Sequence, residues 1–496
     1  MYFSPNDIAS LVPPCYADFR PLILDGIGFF LDTLPARRVE AIGARLAALP
    51  NGATPAERAL ELMRECPSLH KLGQVMARNP NLDPDFRLLL QQLESFAARQ
   101  GMDAVADRLR TELGESIARY RIELDPTPLA EASVAVVVGC RWRTPSGRGP
   151  ARDAVLKVLK PGIEERLREE LAVLARMSDY LDARRGAYAL SGLRYRETFE
   201  AVRAQLLFEL QLDREQKNLR AARRALGGVR GAFVPKVLPF STPRVTAMER
   251  VHGHHPGLAA CPGSARGRSE ALVDATIAGV LVSPEAQAIF HADPHAGNLM
   301  AMEDGRIALI DWALAGRLHR GQREAMVRAV LGAVRFDAAR IAAALGDLAL
   351  HPPAPGVLEG PVAAALRQVR KGRVPGPSWL MELVDAAVFQ GVVFPPELIL
   401  FRKAIFTLDG VIRDLDPGVS VDRLFALAIV KRIAREVPRR LRGVSSIAIP
   451  AALGDFAGLY AATPKSALNF WGQTIRDLLP AKRAKSPASV VREATL

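Results

Sequence analysis

Three polar side chains stand at a spacing that suits phosphoryl transfer. Asp293 and Asn298 lie five residues apart within 291–298, and Asp311 follows the short apolar run 307–310. In phosphoryl transfer one carboxylate orients the attacking hydroxyl, while an amide and a second carboxylate hold Mg²⁺. The pattern therefore predicts a kinase-type active site, with Asp293 acting on the nucleophile and with Asn298 and Asp311 as metal ligands.

The chemistry of nucleotide phosphates explains these residue types. ATP brings several negative charges into a small cleft, and Mg²⁺ neutralises them only when hard oxygen ligands complete its octahedron. Pro294 and Gly297 set the turn that carries Asp293, and the end of a strand fixes Asp311. A polar turn that caps a hairpin would explain any one of these residues alone, but the spacing of all three favours catalysis.

Two predicted strands further upstream could hold the nucleotide. A small-residue turn with Ala130, Ala132 and Ser133 runs into a β-branched strand, and 154–159 is a second strand that carries Lys157. A lysine on such a strand can reach the α- and β-phosphates of a nucleotide. The alternative is an edge-strand lysine that discourages aggregation. The downstream acidic and amide residues favour the phosphate-binding interpretation.

A long helical stretch is predicted from 164 to about 226, and it carries two acidic residues of interest. Glu209 and Glu215 are candidates to pair with Lys157 or with Lys71, a lysine of the N-terminal region. Most glutamates on helices are solvated, and the spacing leaves open which glutamate pairs with which lysine.

Residues 243–248 predict a strand that leads into a hinge. The strand ends at Met248 and Glu249. Backbone groups near Glu249 and Val251 would then be available to bond an adenine base.

The rest of the chain is predicted to be mostly helical. Apolar residues recur at helical spacing before residue 120, and three further helices are expected between 322 and 412. The Pro- and Gly-rich segment 351–377 is predicted to be a surface loop. Beyond 441 the pattern is ambiguous, with an apolar stretch at 447–462 and a basic tail at 481–486.

Composition indicates a protein with an ample core and a preference for acidic partners. The chain has 496 residues, of which 49% are hydrophobic, and its formal net charge is +13. Of its 66 basic residues 11 are lysine, leaving 55 arginines, a bias that a GC-rich genome also produces. Only 6% of the residues are aromatic and no nucleic-acid-binding module is evident, so we expect no nucleic acid partner.

Cysteine usage and hydropathy predict a cytoplasmic protein. The four cysteines form no Cys-x-x-Cys pair, which suits a reducing compartment. The N-terminal residues lack the pattern of a secretory signal, and no apolar run is long enough to cross a bilayer. With its excess of basic residues, the chain is expected to associate peripherally with an anionic membrane surface.

The ordered motifs resemble those of the UbiB/ADCK (AarF-type) family of atypical kinases over roughly residues 60–440. The matching positions are Lys71 to Gln74, Ala130 to Ser133, Lys157 with Pro161 and Gly162, Glu209 to Asn218, Met248 with Glu249, and His291 to Asn298 with Asp311. The resemblance implies Mg²⁺-dependent ATP binding, a helical extension whose Lys71 serves the active site, and a role in isoprenoid lipid or ubiquinone metabolism. It also implies nucleotide-contacting roles for Ala130, Ala132, Ser133, Glu209 and Glu215.

Three motifs depart from the family pattern. Glu131 lies within the alanine-rich loop, Gln211 replaces an aspartate of the Glu-x-Asp motif, and Trp312-Ala313 replaces Phe-Gly after Asp311. The metal-binding carboxylate is kept.

Two other functions stay open from the sequence. The segment from His291 to Trp312 also resembles aminoglycoside and choline kinases, which phosphorylate small molecules. A catalytically silent, nucleotide-dependent lipid-binding scaffold is a second alternative, against which the intact Asp293, Asn298, Asp311 and Lys157 argue.

We therefore expect an α+β, protein-kinase-like two-lobe fold with a mostly helical C-lobe. The predicted divisions are a helical extension at 1–120, an N-lobe at 121–250, a C-lobe at 251–440 and a tail at 441–496. The expected partners are a nucleotide and a small-molecule or lipid substrate of the isoprenoid or quinone class.

Overall fold

The computed structural model describes residues 3–76, 88, 90, 102–188, 195–229, 231–254 and 264–441. The predicted features at 447–462 and 481–486 lie outside the described residues. Two compact units are present: the first comprises Met1–Arg224, Val234–His252 and Ile310–Leu314, and the second comprises Ala225–Phe233, Gly253–Leu309 and Ala315–Leu496.

Helices make up most of the described chain. In chain order they are α1 Pro5–Leu11, α2 Arg20–Thr33, α3 Ala36–Ala47, α4 Pro55–Glu65, α5 Pro67–Met76, α6 Met102–Leu113, α7 Glu115–Arg119, α8 Ile163–Ala183, α9 Tyr195–Glu209, α10 Leu212–Leu226, α11 Ala265–Val273, α12 Gly279–Leu281, α13 Arg320–Val334, α14 Ala338–Leu348, α15 Glu359–Arg370, α16 Pro377–Val388, α17 Pro396–Leu415 and α18 Val421–Leu441. A π-helical turn, Asp274–Ala278, joins α11 to α12.

The strands are short and form three small sheets. They are β1 Glu123–Glu131, β2 Ala135–Trp142, β3 Arg152–Leu159, β4 Ala232–Phe233, β5 Val245–Glu249, β6 Gly253–His254, β7 Gln287–His291, β8 Leu299–Met302, β9 Ile307–Leu309 and β10 Ala315–His319. The sheet orders are β1-β2-β3-β5, β10-β7 and β4-β9-β8-β6.

In the first unit, local signals define the helices before residue 120. Ser4 and Thr54 begin α1 and α4 with capping boxes, each followed by proline in the first turn. Apolar side chains of α1 to α5 pack with α8 in one core, in which Phe30 and Ile42 are almost completely buried. The predicted helical character of this region is confirmed for the described residues.

The antiparallel sheet of the first unit contains one strand that the sequence analysis did not predict. Strand β1 includes Pro126 and Pro128, and its register with β2 shifts on either side of Pro128. Proline lacks the N–H that a central strand must donate, so it is confined to edges and bulges. Strand β1 is an edge strand of this sheet, which is where these prolines can be accommodated.

The predicted helical stretch 164–226 is divided into α8, α9 and α10. Helix α10 begins directly after Gln211, whose carbonyl accepts hydrogen bonds from the N–H groups of Arg214 and Glu215. The break at Leu210–Gln211 separates Glu209, at the end of α9, from Glu215, in the first turn of α10.

The second unit is mostly helical, and its small sheets carry the loop that contains Asp293. The segment 351–377 is not wholly a loop, and this prediction was wrong. It contains α15, whose Val362, Leu366 and Val369 are buried at helical spacing. Periodic burial of these residues outweighs the breaker residues on either side.

The predicted α+β class is confirmed, because helices dominate and small sheets accompany them. The boundaries at 120, 250 and 440 stay predictions. Within the described residues, no helix combines the length and the apolarity needed to cross a bilayer.

Candidate active site

Three charged side chains meet in the first unit. Lys157, in the middle of β3, is flanked in the sheet by Val137 of β2 and Thr246 of β5. Its Nζ lies 2.9 Å from Oε1 of Glu215 and 3.2 Å from Oδ2 of Asp311. The structure thus brings together three predicted site residues and shows that Glu215, rather than Glu209, is the partner of Lys157.

Burial and charge control the protonation of this cluster. Burial raises the pKa of Glu215 to about 6, with the Asp311 charge adding to that effect and Lys157 opposing it. Burial alone would raise the pKa of Asp311, but Lys157, the Ala313 N–H and Lys71 lower it well below its usual range. Burial opposes the charged form of Lys157, yet both carboxylates hold its pKa above the usual value. Lys157 and Asp311 are therefore charged at neutral pH, and Glu215 is the member of the cluster that titrates closest to it.

The backbone at Asp311 is held in an unusual conformation. Asp311 has φ of +57°, in the left-handed region that few residues other than glycine adopt. Its Oδ1 accepts a hydrogen bond from the N–H of Ala313 at 3.1 Å, and the carbonyl of buried Trp312 accepts one from Asn218 Nδ2 at 2.9 Å. These contacts hold the carboxylate in place although 41% of the side chain is exposed.

The second predicted glutamate has a different partner. Glu209 Oε1 lies 2.5 Å from Lys71 Nζ, and Glu209 Oε2 accepts a hydrogen bond from Ser133 Oγ at 2.9 Å. Lys71 belongs to α5, Glu209 to the end of α9, and Ser133 to the turn between β1 and β2. Glu209 therefore ties the helical extension to this turn, even though Gln211 replaces the family's aspartate.

The alanine-rich loop is shorter than the sequence predicted. Ala130 and Glu131 pair with β2 as the end of β1, so the turn itself is Ala132 to Val134. The N–H of Ala132 closes it onto the carbonyl of Ala135 at 2.8 Å. Glu131, the departure from the family pattern, forms an ion pair of 2.8 Å with Lys160. Both side chains are largely buried, and sequence reasoning did not connect them.

The strand predicted ahead of the hinge is present as β5. Met248 is buried within the strand. The N–H of Glu249 donates to the carbonyl of Lys236 at 3.0 Å, and its carboxylate accepts from Lys236 N–H and pairs with Arg223. Because the Glu249 amide is already bonded, Val251, just after the strand, is the better candidate for a backbone donor.

In the second unit, hydrogen bonds within one loop hold the predicted catalytic stretch. The N–H of Asp293 donates to His291 Nδ1 at 3.2 Å. The carbonyl of Asp293 accepts from Asn298 Nδ2 at 3.1 Å and from the His295 N–H at 2.8 Å. Asn298 lies in the 3₁₀ turn Ala296–Asn298, and Asp293 is largely buried. Lys403 of α17, which the sequence analysis did not predict, lies 3.5 Å from Asp293 Oδ1.

The donor chemistry fits a hard divalent cation. The Asp311 carboxylate is partly open to solvent, and Asn298 uses its amide nitrogen on Asp293, which directs its oxygen elsewhere. Among the described residues, Oε2 of Glu215 is buried without a hydrogen-bond partner, and no group of three or more His, Cys, Asp or Glu could hold a metal. Few protein ligands are what Mg²⁺ uses when phosphates and water supply the others.

The fold and these motifs define a kinase-like protein. The family model of the ABC1 atypical kinase-like domain matches residues 92–345, and the chain belongs to this family. This confirms the predicted membership of the UbiB/ADCK group.

Named relatives agree with the family. An uncharacterized aarF domain-containing protein kinase of Arabidopsis thaliana, described as chloroplastic, is 33% identical over 50% of this chain and 46% of its own length. The probable protein kinase UbiB of Xanthomonas campestris is 27% identical over 82% of this chain and 74% of its own length. The chain thus spans less than half of the first relative and about three quarters of the second.

A solved structure is also similar. It is the Rv3197–erythromycin complex from Mycobacterium tuberculosis, with a TM-score of 0.46 and 19% identity over 70% of this chain and 87% of that one.

Proposed function

We propose that this protein is a UbiB-like atypical kinase that binds ATP with Mg²⁺ and catalyses slow hydrolysis or phosphoryl transfer to a small or lipid-borne acceptor. The observation that carries the proposal is the cluster of Lys157, Glu215 and Asp311, in which one lysine contacts two carboxylates of different exposure. Buried Glu215 holds the lysine in place, and the partly exposed carboxylate of Asp311 is accessible to a ligand.

Each side chain has a proposed role. Lys157 binds the α- and β-phosphates, and Glu215 orients it. Asp311 and Asn298 are the proposed Mg²⁺ ligands; bound Mg²⁺ would neutralise phosphate charge. Asp293 orients the acceptor hydroxyl or water and takes its proton.

The nucleotide is proposed to lie against the β1–β2 turn and the hinge. Ala130, Ala132 and Ser133 line the phosphate side, and β-carbons stand where protein kinases have glycine hydrogens. Met248 would contact the base, while the Glu249 carbonyl and the Val251 N–H would bond its edge.

The acceptor is proposed to be small or lipid-borne rather than a protein segment. Lys71 and Ser133 both bond Glu209, so α5 of the extension is fixed to the β1–β2 turn. An extended protein substrate would compete with α5 for that surface. We therefore propose an isoprenoid or quinone-related acceptor, reached from an anionic membrane surface through peripheral, salt-sensitive binding.

The test is a labelled-ATP assay on the full chain with Mg²⁺. General protein substrates, an aminoglycoside panel, and anionic liposomes with or without isoprenoid quinone precursors are compared. We expect slow hydrolysis that rises with liposomes or the small phenolic or isoprenoid compounds. Rapid labelling of proteins or aminoglycosides would contradict the proposed acceptor class, and no nucleotide binding at all would contradict the proposed function.

A further inference from the structure

We propose that Lys403 is a positioning residue that holds the side chain of Asp293 in its catalytic orientation. The inference rests on the proposed function, because it assigns Lys403 a part in the reaction that Asp293 supports. Its basis is the 3.5 Å distance between Lys403 Nζ and Asp293 Oδ1. This contact joins α17, which lies far along the chain, to the loop that carries Asp293.

The loop fixes the backbone of Asp293 by itself. The Asp293 N–H is bonded to His291, and its carbonyl accepts from both His295 and Asn298. These three bonds hold the main chain but do not select a rotamer for the carboxylate. Lys403 is a charged partner from outside the loop, and it contacts the carboxylate itself.

Helix α17 is held in place by buried packing next to Lys403. Phe401 is 1% exposed, and its ring packs edge to face against Phe290 of β7 with a centroid distance of 4.9 Å. A β-carbon on Gly316 of β10 would lie 2.1 Å from the Phe290 ring, so glycine is required for this packing. Asp293 follows β7 by two residues, so the same strand that seats α17 also leads to Asp293.

The exposure of the two side chains indicates how the contact acts. Lys403 is 38% exposed and Asp293 only 10%, so water reaches the lysine more readily than the carboxylate. An ion pair of this exposure contributes little to folding stability. Its orienting effect is the larger one, because misplacing a catalytic group by about 1 Å can lower the rate roughly 10²-fold. Substrate binding does not need this orientation.

The test measures kcat and KM for Mg²⁺-ATP in the full chain. Lys403→Met should lower kcat about 10- to 100-fold with the KM for ATP unchanged, because only the orientation of Asp293 is lost. Lys403→Arg keeps the charge and should restore most of kcat. Lys431→Met is the matched control: Lys431 is 45% exposed and pairs with Glu270 on α11.

A double variant shows whether Lys403 acts through Asp293. In an Asp293→Asn background, Lys403→Met should lower kcat little further, since the effects of substituting two residues that act as one unit do not add. An unchanged kcat in Lys403→Met, an equal loss in the two backgrounds, or no rescue by arginine would overturn the inference. Should Lys403→Met fail to fold, Lys403→Gln replaces it and is judged by the same outcomes.

The inference and the proposed function fail in different ways. If the unaltered protein binds and turns over ATP but Lys403→Met does so equally well, only the role of Lys403 is wrong. If the unaltered protein shows no turnover under any of the conditions, the proposed function is wrong and the role of Lys403 falls with it.

Discussion

The two candidate regions are held by different forces. In the first unit, Lys157 contacts the side chains of Glu215 and Asp311, so ion pairs between side chains hold the region together. In the second unit, the loop around Asp293 is fixed mainly by hydrogen bonds that involve its own backbone. The first arrangement must respond to pH and to charge removal, because each group sets the protonation of the others.

The difference also separates binding from chemistry. A cluster of one lysine and two carboxylates suits the binding of an anionic ligand together with a cation. The anion would pair with the lysine, and the cation would pair with a carboxylate. A loop whose backbone is internally bonded, with Lys403 against the Asp293 carboxylate, suits a group that must keep one orientation during a reaction. Substitutions in the first unit should therefore change affinity and stability, and those at Asp293 should change turnover.

The largest effect is expected for Asp293→Asn. The amide keeps the size of the side chain but cannot take a proton, so turnover should fall roughly 10²- to 10⁴-fold. ATP binding, followed by thermal shift with Mg²⁺, should stay normal because the backbone bonds of the loop are unchanged. Equal turnover in the two proteins would assign the proton-accepting role to another residue.

Asp311→Asn should instead act on binding. Asparagine tolerates positive φ, so the backbone at φ of +57° is kept while a charged oxygen ligand becomes a neutral amide. We expect the gain in nucleotide affinity that Mg²⁺ provides to fall at least about tenfold, or about 1.4 kcal/mol. A thermal-shift titration with and without Mg²⁺ measures this gain. A gain as large as in the unaltered protein would exclude Asp311 as a ligand.

Glu215→Gln tests the pH response of the charged cluster. Burial raises the pKa of Glu215 from 4.5 to about 6, so the folded protein binds this proton more tightly than the unfolded chain does. The free energy of unfolding should therefore fall as the pH rises from about 4.5 to about 6. This difference in pKa corresponds to a loss of about 2 kcal/mol in the free energy of unfolding, and the glutamine variant, which lacks the titrating carboxyl, should not show that loss.

Urea unfolding at several pH values between 4.5 and 7 measures the effect. The stability of Glu215→Gln relative to the unaltered protein should rise across this range. Asn298→Ala is the control from the loop of the second unit; it removes no titratable group, so its curve should run parallel to that of the unaltered protein. A constant difference for Glu215→Gln would show that Glu215 does not titrate in this window.

The fold class and the candidate site residues were both accessible from the sequence, because both depend on local patterns. The strand with Lys157, the spacing of Asp293 and Asn298, and the strand before Asp311 are visible in short windows. Helix α15 was missed because its flanking prolines and glycines outweighed a short apolar period. Strand β1 was missed because Pro126 and Pro128 are tolerated only at the edge position that tertiary structure gives it.

Pairing between distant residues could not be predicted in the same way. The choice between Glu209 and Glu215 for Lys157 depends on the break between α9 and α10, which places the two glutamates on different helices. The proximity of Glu131 and Lys160 depends on the pairing of β1 with β2 and of β2 with β3. Spacing along the chain carries no information on such contacts.

The smallest effect is expected for Ser133→Ala, and it tests whether charge alone holds the first region together. The Ser133 hydroxyl donates to Glu209 at 2.9 Å, while the same carboxylate keeps its ion pair with Lys71. Loss of one hydrogen bond from a carboxylate that retains a cation should cost about 1 kcal/mol in the free energy of unfolding. Ser133→Thr keeps the hydroxyl and should stay close to the unaltered protein. A loss of more than about 3 kcal/mol would mean that the hydroxyl, rather than the Lys71 charge, holds Glu209, because a loss that large is expected only when a buried charge is left unpaired.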